Sequence, residues 1–263
     1  MTLSHKIVGN AMQLAVCQLG DGQTIYADAG KFLWKTVNVG IETHIASQSS
    51  AAGGGGAGGG LLGMAMNAGK RMLAGESIAF QYFTARGGAG LVSVAGTLPG
   101  EMRALELDGT KGWLAEKDSF VAAEGTVTND IAFSGLRQGL KGGEGFVLQR
   151  FGGVGTIIIA GAGNFIDINP AKYGGKIQVH TGCLVAFEDT LRYGVERVGA
   201  INAQTLVTGL LGGNGFNLAT LEGDGNAILQ SMTIESLAHA IAKHDHRGHD
   251  EKASNPLGSL FGG

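Results

Sequence analysis

The side chains best suited to chemistry in this chain are histidines gathered near its end: His239, His244, His246 and His249, with Asp245 and Asp250 among them. Imidazoles this closely spaced, His244-Asp-His246 above all, could hold zinc or nickel. A metal site also needs hydrogen-bond partners that orient each ring, and this cluster follows the last amphipathic stretch instead of lying inside a strand. The expectation is therefore a solvated, flexible tail over residues 244–263 with no bound metal. An internal centre of cupin type would need a triad, and His44 and His180 are too few for one inside the β-rich body.

Other candidates lose a physical part when inspected. Glu124 and Glu188 occupy equivalent places in a repeat described below, as do Glu76 and Glu144, and paired carboxylates can do acid–base work if they converge. Their places beside turns predict turn-stabilising or surface roles. There is no G-x-S-x-G, and Ser77, Ser93, Ser119 and Ser134 have no histidine neighbour in sequence. Gly58–Gly63 fits G-x-G-x-x-G, but it lies within polyglycine and no apolar strand precedes it. Gly69-Lys70 resembles the end of a phosphate-binding loop, yet Met64 replaces the first glycine and Arg71 the metal-binding Ser/Thr. No catalytic or cofactor-binding residue is predicted. Trp34, Trp113, Phe83 and Phe151 are expected to anchor the core.

The elements that would position any site come from one unit used several times. Gly75–Gly96 (GESIAFQYFTARGGAGLVSVAG), Gly143–Gly161 (GEGFVLQRFGGVGTIIIAG) and Gly213–Ser231 (GNGFNLATLEGDGNAILQS) share one pattern, the last two without a gap. Each has an alternating strand, a glycine turn (Gly87-Gly88, Gly152-Gly153, Gly223-Asp224-Gly225) and a second strand, which predicts a hairpin. A second half-unit also recurs. Gly112–Val127 matches Lys176–Leu191, setting Glu124 against Glu188, and Ile25–Val39 sets Phe32 against Phe120. The predicted fold is an all-β antiparallel sandwich or double-stranded β-helix with pseudo-threefold symmetry, forming one domain over residues 1–243. Its units span about 75–131, 143–197 and 213–232, the last closing with 10–45 so that no sheet edge stays open. Ser47–Gly63 reads as a low-complexity loop before a weak helix over Leu61–Leu73. Thr233–Lys243 has Ile234, Leu237, Ala238 and Ile241 at helical spacing, an amphipathic helix expected to dock on the sheet.

Composition narrows the function. The 48 glycines in 263 residues far exceed the usual ~7%, and with 3 prolines they serve turns and close packing. A net charge of −3 with 19 Lys and Arg and no basic stripe argues against nucleic acid. Cys17 and Cys183, without a CxxC pattern, read as free buried thiols of a reducing cytoplasm. The first twenty residues lack a signal-peptide pattern, and no run approaches the ~20 apolar residues of a membrane span. The expectation is a soluble cytoplasmic protein.

Gly69–Leu107 (GKRMLAGESIAFQYFTARGGAGLVSVAGTLPGEMRALEL), Met12–Trp34 (MQLAVCQLGDGQTIYADAGKFLW) and Val179–Gly199 (VHTGCLVAFEDTLRYGVERVG) resemble the AIM24 family. The likeness runs in order over about residues 5–240, and Asn255–Gly263 (NPLGSLFGG) is similar to the Gly-Leu-rich tails of its members. The resemblance implies a fold like that of the tryptophan RNA-binding attenuation protein. It also implies kinship with fungal proteins that support mitochondrial inner-membrane organisation, through a prokaryotic branch without an assigned activity. Together these point to a non-catalytic scaffold or assembly protein, a homo-oligomer working through its surface on protein partners or a peripheral membrane contact. The alternative is a module that binds a small ligand between repeats or subunits, and a cupin-like metal enzyme comes third.

Overall fold

A computed structural model describes residues 2–45, 79–134, 147–197 and 217–250. The loop 47–63, the helix expected over 61–73 and the segment 251–263 lie outside these residues. After a leading strand β1 (Ser4–Val8), the chain runs through three six-stranded units. The first holds β2 (Leu14–Leu19), β3 (Thr24–Asp28), β4 (Phe32–Lys35), β5 (Val39–Ile45), β6 (Ala79–Ala85) and β7 (Gly90–Ala95). The second holds β8 (Met102–Asp108), β9 (Trp113–Glu116), β10 (Phe120–Glu124), β11 (Thr128–Ser134), β12 (Val147–Gly152) and β13 (Val154–Ala160). The third holds β14 (Phe165–Ile168), β15 (Lys176–His180), β16 (Leu184–Glu188), β17 (Arg192–Arg197), β18 (Asn217–Glu222) and β19 (Ala227–Gln230), followed by helix α1 (Ile234–Asp250).

Each unit splits its strands between two sheets. The sheets run β1-β2-β7-β4, then β5-β6-β3-β10-β13-β8, then β11-β12-β9-β16-β19-β14, and finally β15-β18-β17. The ladders between these strands are antiparallel. The two inner sheets are therefore shared: β3 of the first unit pairs with β10 of the second, and β9 of the second with β16 of the third. The fold is all-β and antiparallel with one helix near its C-terminus, as the alternation and the repeats predicted.

Two expectations are corrected. The glycine turns do not close hairpins, because β6 and β7, β12 and β13, and β18 and β19 lie in different sheets. Each turn is a corner that lifts the chain from one sheet into the next, and Gly87 (φ 72°), Gly153 (φ 91°) and Gly223 (φ 121°) supply the left-handed backbone it needs. Nor do residues 213–232 close onto 10–45 among the described residues. There β18 pairs with β15 and β17, β19 with β14 and β16, and β4 with β7. All three units are complete, and the stack has two ends.

The core fills the gaps between successive sheets. Cys17, Ile25, Phe83, Val92 and Val94 pack between the first and second sheets. Phe120, Phe151, Ile157, Ile159 and Ile228 pack between the second and third, and Leu148, Leu184, Phe187 and Leu221 between the third and fourth. Strands β10 and β16 are buried at all five positions because sheets cover both faces. Phe83 and Phe151 are core anchors, but Trp34 is 43% exposed on the end strand β4, which corrects its expected role. Helix α1 also differs from expectation. It continues through 244–250, residues read as flexible tail, and its apolar stripe is only partly covered, Leu237 being half-buried but Ile234 58% and Ile241 62% exposed.

Candidate functional site

The places where one unit meets the next gather most of the polar side chains buried in the described fold. Within each unit, a side chain at or just after the end of β4, β10 or β16 accepts a hydrogen bond from an amide near the start of the strand paired with it, β7, β13 or β19. Thr36 Oγ1 accepts from Leu91 N at 3.0 Å, Glu124 Oε2 from Thr156 N at 2.8 Å, and Glu188 Oε2 from Asn226 N at 3.2 Å. The residue before each of these amides is glycine. A Cβ at Gly155 would lie 2.9 Å from Glu124 Oε2, one at Gly225 3.2 Å from Glu188 Oε2, and one at Gly90 3.2 Å from Thr36 Oγ1. These glycines clear space for the bonded side chain.

These carboxylates, read from sequence as turn-stabilising or surface groups, are buried. Glu124 is 4% and Glu188 7% exposed, and each has a partner across its junction. Gln23 Nε2 donates to Glu124 Oε1 at 3.1 Å, and Lys111 Nζ to Glu188 Oε2 at 3.3 Å. Their role is to hold turns and weld units, as their places beside turns implied. A second set of equivalents caps short turns: Asp28, Glu116 and His180 accept from the amides of Gly30, Asp118 and Gly182. Burial, and then the Asp118 charge, push Glu116 up to about 7. Lys31, 5% exposed, reaches across the first junction to the Asp118 carbonyl at 3.1 Å. Burial lowers its pKa against the pull of Asp28, Asp118 and Glu116.

The first junction also opens a cleft of about 250 Å³ lined by Tyr26, His44, Phe80, Tyr82, Gly125, Val127 and Asn129. Tyr26 meets Phe80 edge to face and Tyr82 at a tilt, with ring centroids 5.5 and 5.6 Å apart, and its hydroxyl donates to the Val127 carbonyl at 3.2 Å. His44 meets the edge of Tyr82 at 4.9 Å. Asn129 Nδ2 is buried without a hydrogen-bond partner among the described residues. At the second junction Arg150 and Asp189 stand where Tyr82 and Gly125 stand at the first, and an ion pair of 2.6 Å takes the place of the aromatic wall. Sequence reading missed the cleft because its walls come from β3, β5, β6, β11 and the turn between β10 and β11. The available signal was the exchange of Gly125 for Asp189 between otherwise matching half-units.

The structure keeps the other candidates apart. His44 and His180 lie in different units, and His180 caps its own turn. His239 and His244 are on α1, as are the backbones of His246 and His249. Among the described residues no three His, Cys, Asp or Glu side chains gather as a metal site. Ser93 and Ser119 are buried, while Ser77 and the glycine motifs fall outside the described residues. Cys17 and Cys183 are free. Burial, then Glu124, push the Cys17 thiol up to about 12, while Cys183 is only half-buried. Among the described residues no helix is long and apolar enough to cross a membrane.

Comparison with known proteins agrees with this architecture. Residues 5–232 match the family model described as Mitochondrial biogenesis AIM24. The crystal structure of a Streptococcus pyogenes protein from a structural-genomics programme is similar, with TM-score 0.68 and 22% identity. The match covers 92% of this chain and 99% of that one, and at this identity it shows a shared fold. No curated protein matches the sequence.

Proposed function

This chain belongs to the AIM24 family, and on that premise we propose that it is a non-catalytic scaffold or assembly protein working through its surface in the cytoplasm. One observation carries the reading: helix α1 leaves apolar residues uncovered, Ile234 and Ile241 at 58% and 62% exposure, beside a stack of sheets welded by buried bonds. An amphipathic helix presented in this way suits a groove on a protein partner. The two free thiols fit a reducing compartment. The test is the paired substitution Ile234→Glu and Ile241→Glu in the full chain. Circular dichroism should show an unchanged β-fold, while quantitative mass spectrometry of the natively purified protein should show loss of a stoichiometric partner. An unchanged partner set would overturn the reading. Flotation with anionic vesicles in the same pair of proteins distinguishes a peripheral membrane contact from a protein groove.

The cleft at the first junction favours a second reading, a module that binds a small aromatic or heteroaromatic ligand between repeats. Its aromatic walls and the unpartnered Asn129 amide are the features such a ligand would use. A thermal-shift screen of aromatic amino acids and nucleosides tests it. Stabilisation should rise with ligand concentration and vanish in Asn129→Ala, and a flat screen would overturn it.

A further inference from the structure

We propose that β4 of one copy pairs antiparallel with β15 of a second copy, head to tail, repeating between molecules the junction made twice within the chain. The proposal rests on the assembly reading above and names its interface. The three units are built alike, so their strands correspond: β4 with β10 and β16, and β3 with β9 and β15. Two of the three possible pairings of these strands occur internally, β10 with β3 and β16 with β9. Strands β4 and β15 are the remaining members, one at each end of the stack, and neither is paired on its outer side among the described residues.

The β4 edge exposes apolar side chains at positions that its equivalents in the other two units bury. Leu33 is 48% exposed, where its equivalents Val121 and Val185 are fully buried at the internal junctions. Trp34 is 43% exposed, where Ala122 and Ala186 are buried, and Val37 is wholly exposed. Val37 corresponds to Gly125 and Asp189, whose amides donate across the junctions to the carbonyls of Thr24 and Gly112. An apolar strand edge with free backbone groups is a template for another strand.

Polar matching points to β15 as that strand. At each internal junction a buried carboxylate faces a donor, Glu124 with Gln23 and Glu188 with Lys111. At the open ends the equivalents of the acids and donors are Thr36 and Gly175, so no carboxylate would be buried there without its donor. The internal registers place Trp34 opposite Val179, Lys35 opposite Gln178 and Thr36 opposite Ile177. Because the two edges differ, the contact is heterologous and propagates into a ring or a filament.

The test is engineered cross-linking in the full chain on a Cys183→Ser background. Trp34→Cys and Val179→Cys, mixed in equal amounts and mildly oxidised, should give a disulfide-linked dimer at least tenfold above either variant alone, since directly opposite strand positions suit a disulfide. In a second arm, Leu33→Lys with Val37→Lys should reduce the assembly to protomer mass in native mass spectrometry while the melting curve is retained. If the doubly substituted chain links only within itself at every concentration, the edges close inside one molecule and the proposal is wrong. If the mixture gives no cross-link while the wild type still runs as an oligomer, this edge is wrong and the assembly reading survives. A wild type that stays monomeric at all concentrations overturns self-assembly and this proposal together.

Discussion

Tyr82 and Gly125 at the first junction take the places that Arg150 and Asp189 take at the second, and the carboxylates beneath them follow the same division. Glu124 is held by neutral donors, Gln23 and the Thr156 amide, whereas Glu188 faces the Lys111 ammonium. The backbone ladders of the two junctions are equivalent, down to the pairing of Ala122 with Ala27 and of Ala186 with Ala115. Divergence between copies has therefore left the welded backbone alone and worked on the side chains above it. One junction became aromatic and opens a cleft, the other became ionic. The aromatic one is where a ligand could enter, and the ionic one is a strut.

The most damaging break should come from the glycine that makes the first weld possible. Gly155→Ala places a Cβ 2.9 Å from Glu124 Oε2 and 3.0 Å from Val127 Cγ2, at a φ of 147° that side chains rarely adopt. It should cost about 2–4 kcal/mol, read from the urea midpoint. Glu124→Ala comes next, at about 1–3 kcal/mol, because Thr156 is fully buried and its amide would lose its partner. The matching Glu188→Ala should cost less, since the Asn226 amide it releases belongs to an exposed residue. Equal losses for the two glutamates would refute the asymmetry.

These glutamates mark the limit of what could be read from the chain alone. Alternation and glycine placement identified strands, turns and threefold repetition, because both are local and physical. They did not identify which edges pair, since period two fixes the face a side chain takes but not the neighbour beside its strand. Gly87-Gly88 therefore read as a hairpin turn although it joins two sheets. Glu124 and Glu188 read as turn-stabilising or surface groups, because acids beside turns commonly serve either way, and their burial was not legible. The sign of their burial was the repeated glycine one residue before the bonded amide, meaningful only once the neighbouring unit is in place. Helix α1 was legible in extent to within about two turns, and its exposure was not, because an apolar stripe does not say what covers it.

Acidity should separate the junctions in opposite directions. At the second, burial alone would raise Asp189, but the Arg150 guanidinium and the Gly112 amide hold it below the usual carboxylate range. A depressed carboxylate stabilises the fold above about pH 3.9, and that contribution is lost as pH falls through the folded value. Arg150→Gln should flatten this acid limb by up to about 1 kcal/mol, the pair being partly exposed. In the turn between β9 and β10, beside Lys31 of the first junction, Glu116 is raised to about 7. Its folded form binds a proton more tightly than the unfolded chain, so stability falls as pH climbs from about 4.5 to 7 and then levels. Glu116→Gln should remove that slope, a difference of about 1 kcal/mol or 2–4 °C in Tm at pH 8. Melting curves at pH 3 to 8 for both variants check the two signs.

The smallest change in stability should come from moving one junction's chemistry onto the other. Tyr82→Arg with Gly125→Asp writes the second junction's ion pair into the first. Gly125 has no left-handed φ, and a Cβ there meets nothing nearer than the Thr24 carbonyl at 3.2 Å, so an aspartate fits with a slight adjustment. The loss of the Tyr26–Tyr82 contact is partly offset by a half-exposed ion pair worth a few tenths of a kcal/mol. The net shift should stay within about 1 kcal/mol, and its salt dependence should come to match that of the second junction. The cleft, however, should be filled, so any concentration-dependent thermal shift with an aromatic ligand should disappear in the double variant. Retained binding would move the ligand elsewhere on the molecule. A large loss of stability would mean that the two junctions differ in backbone geometry as well as in the side chains laid over it.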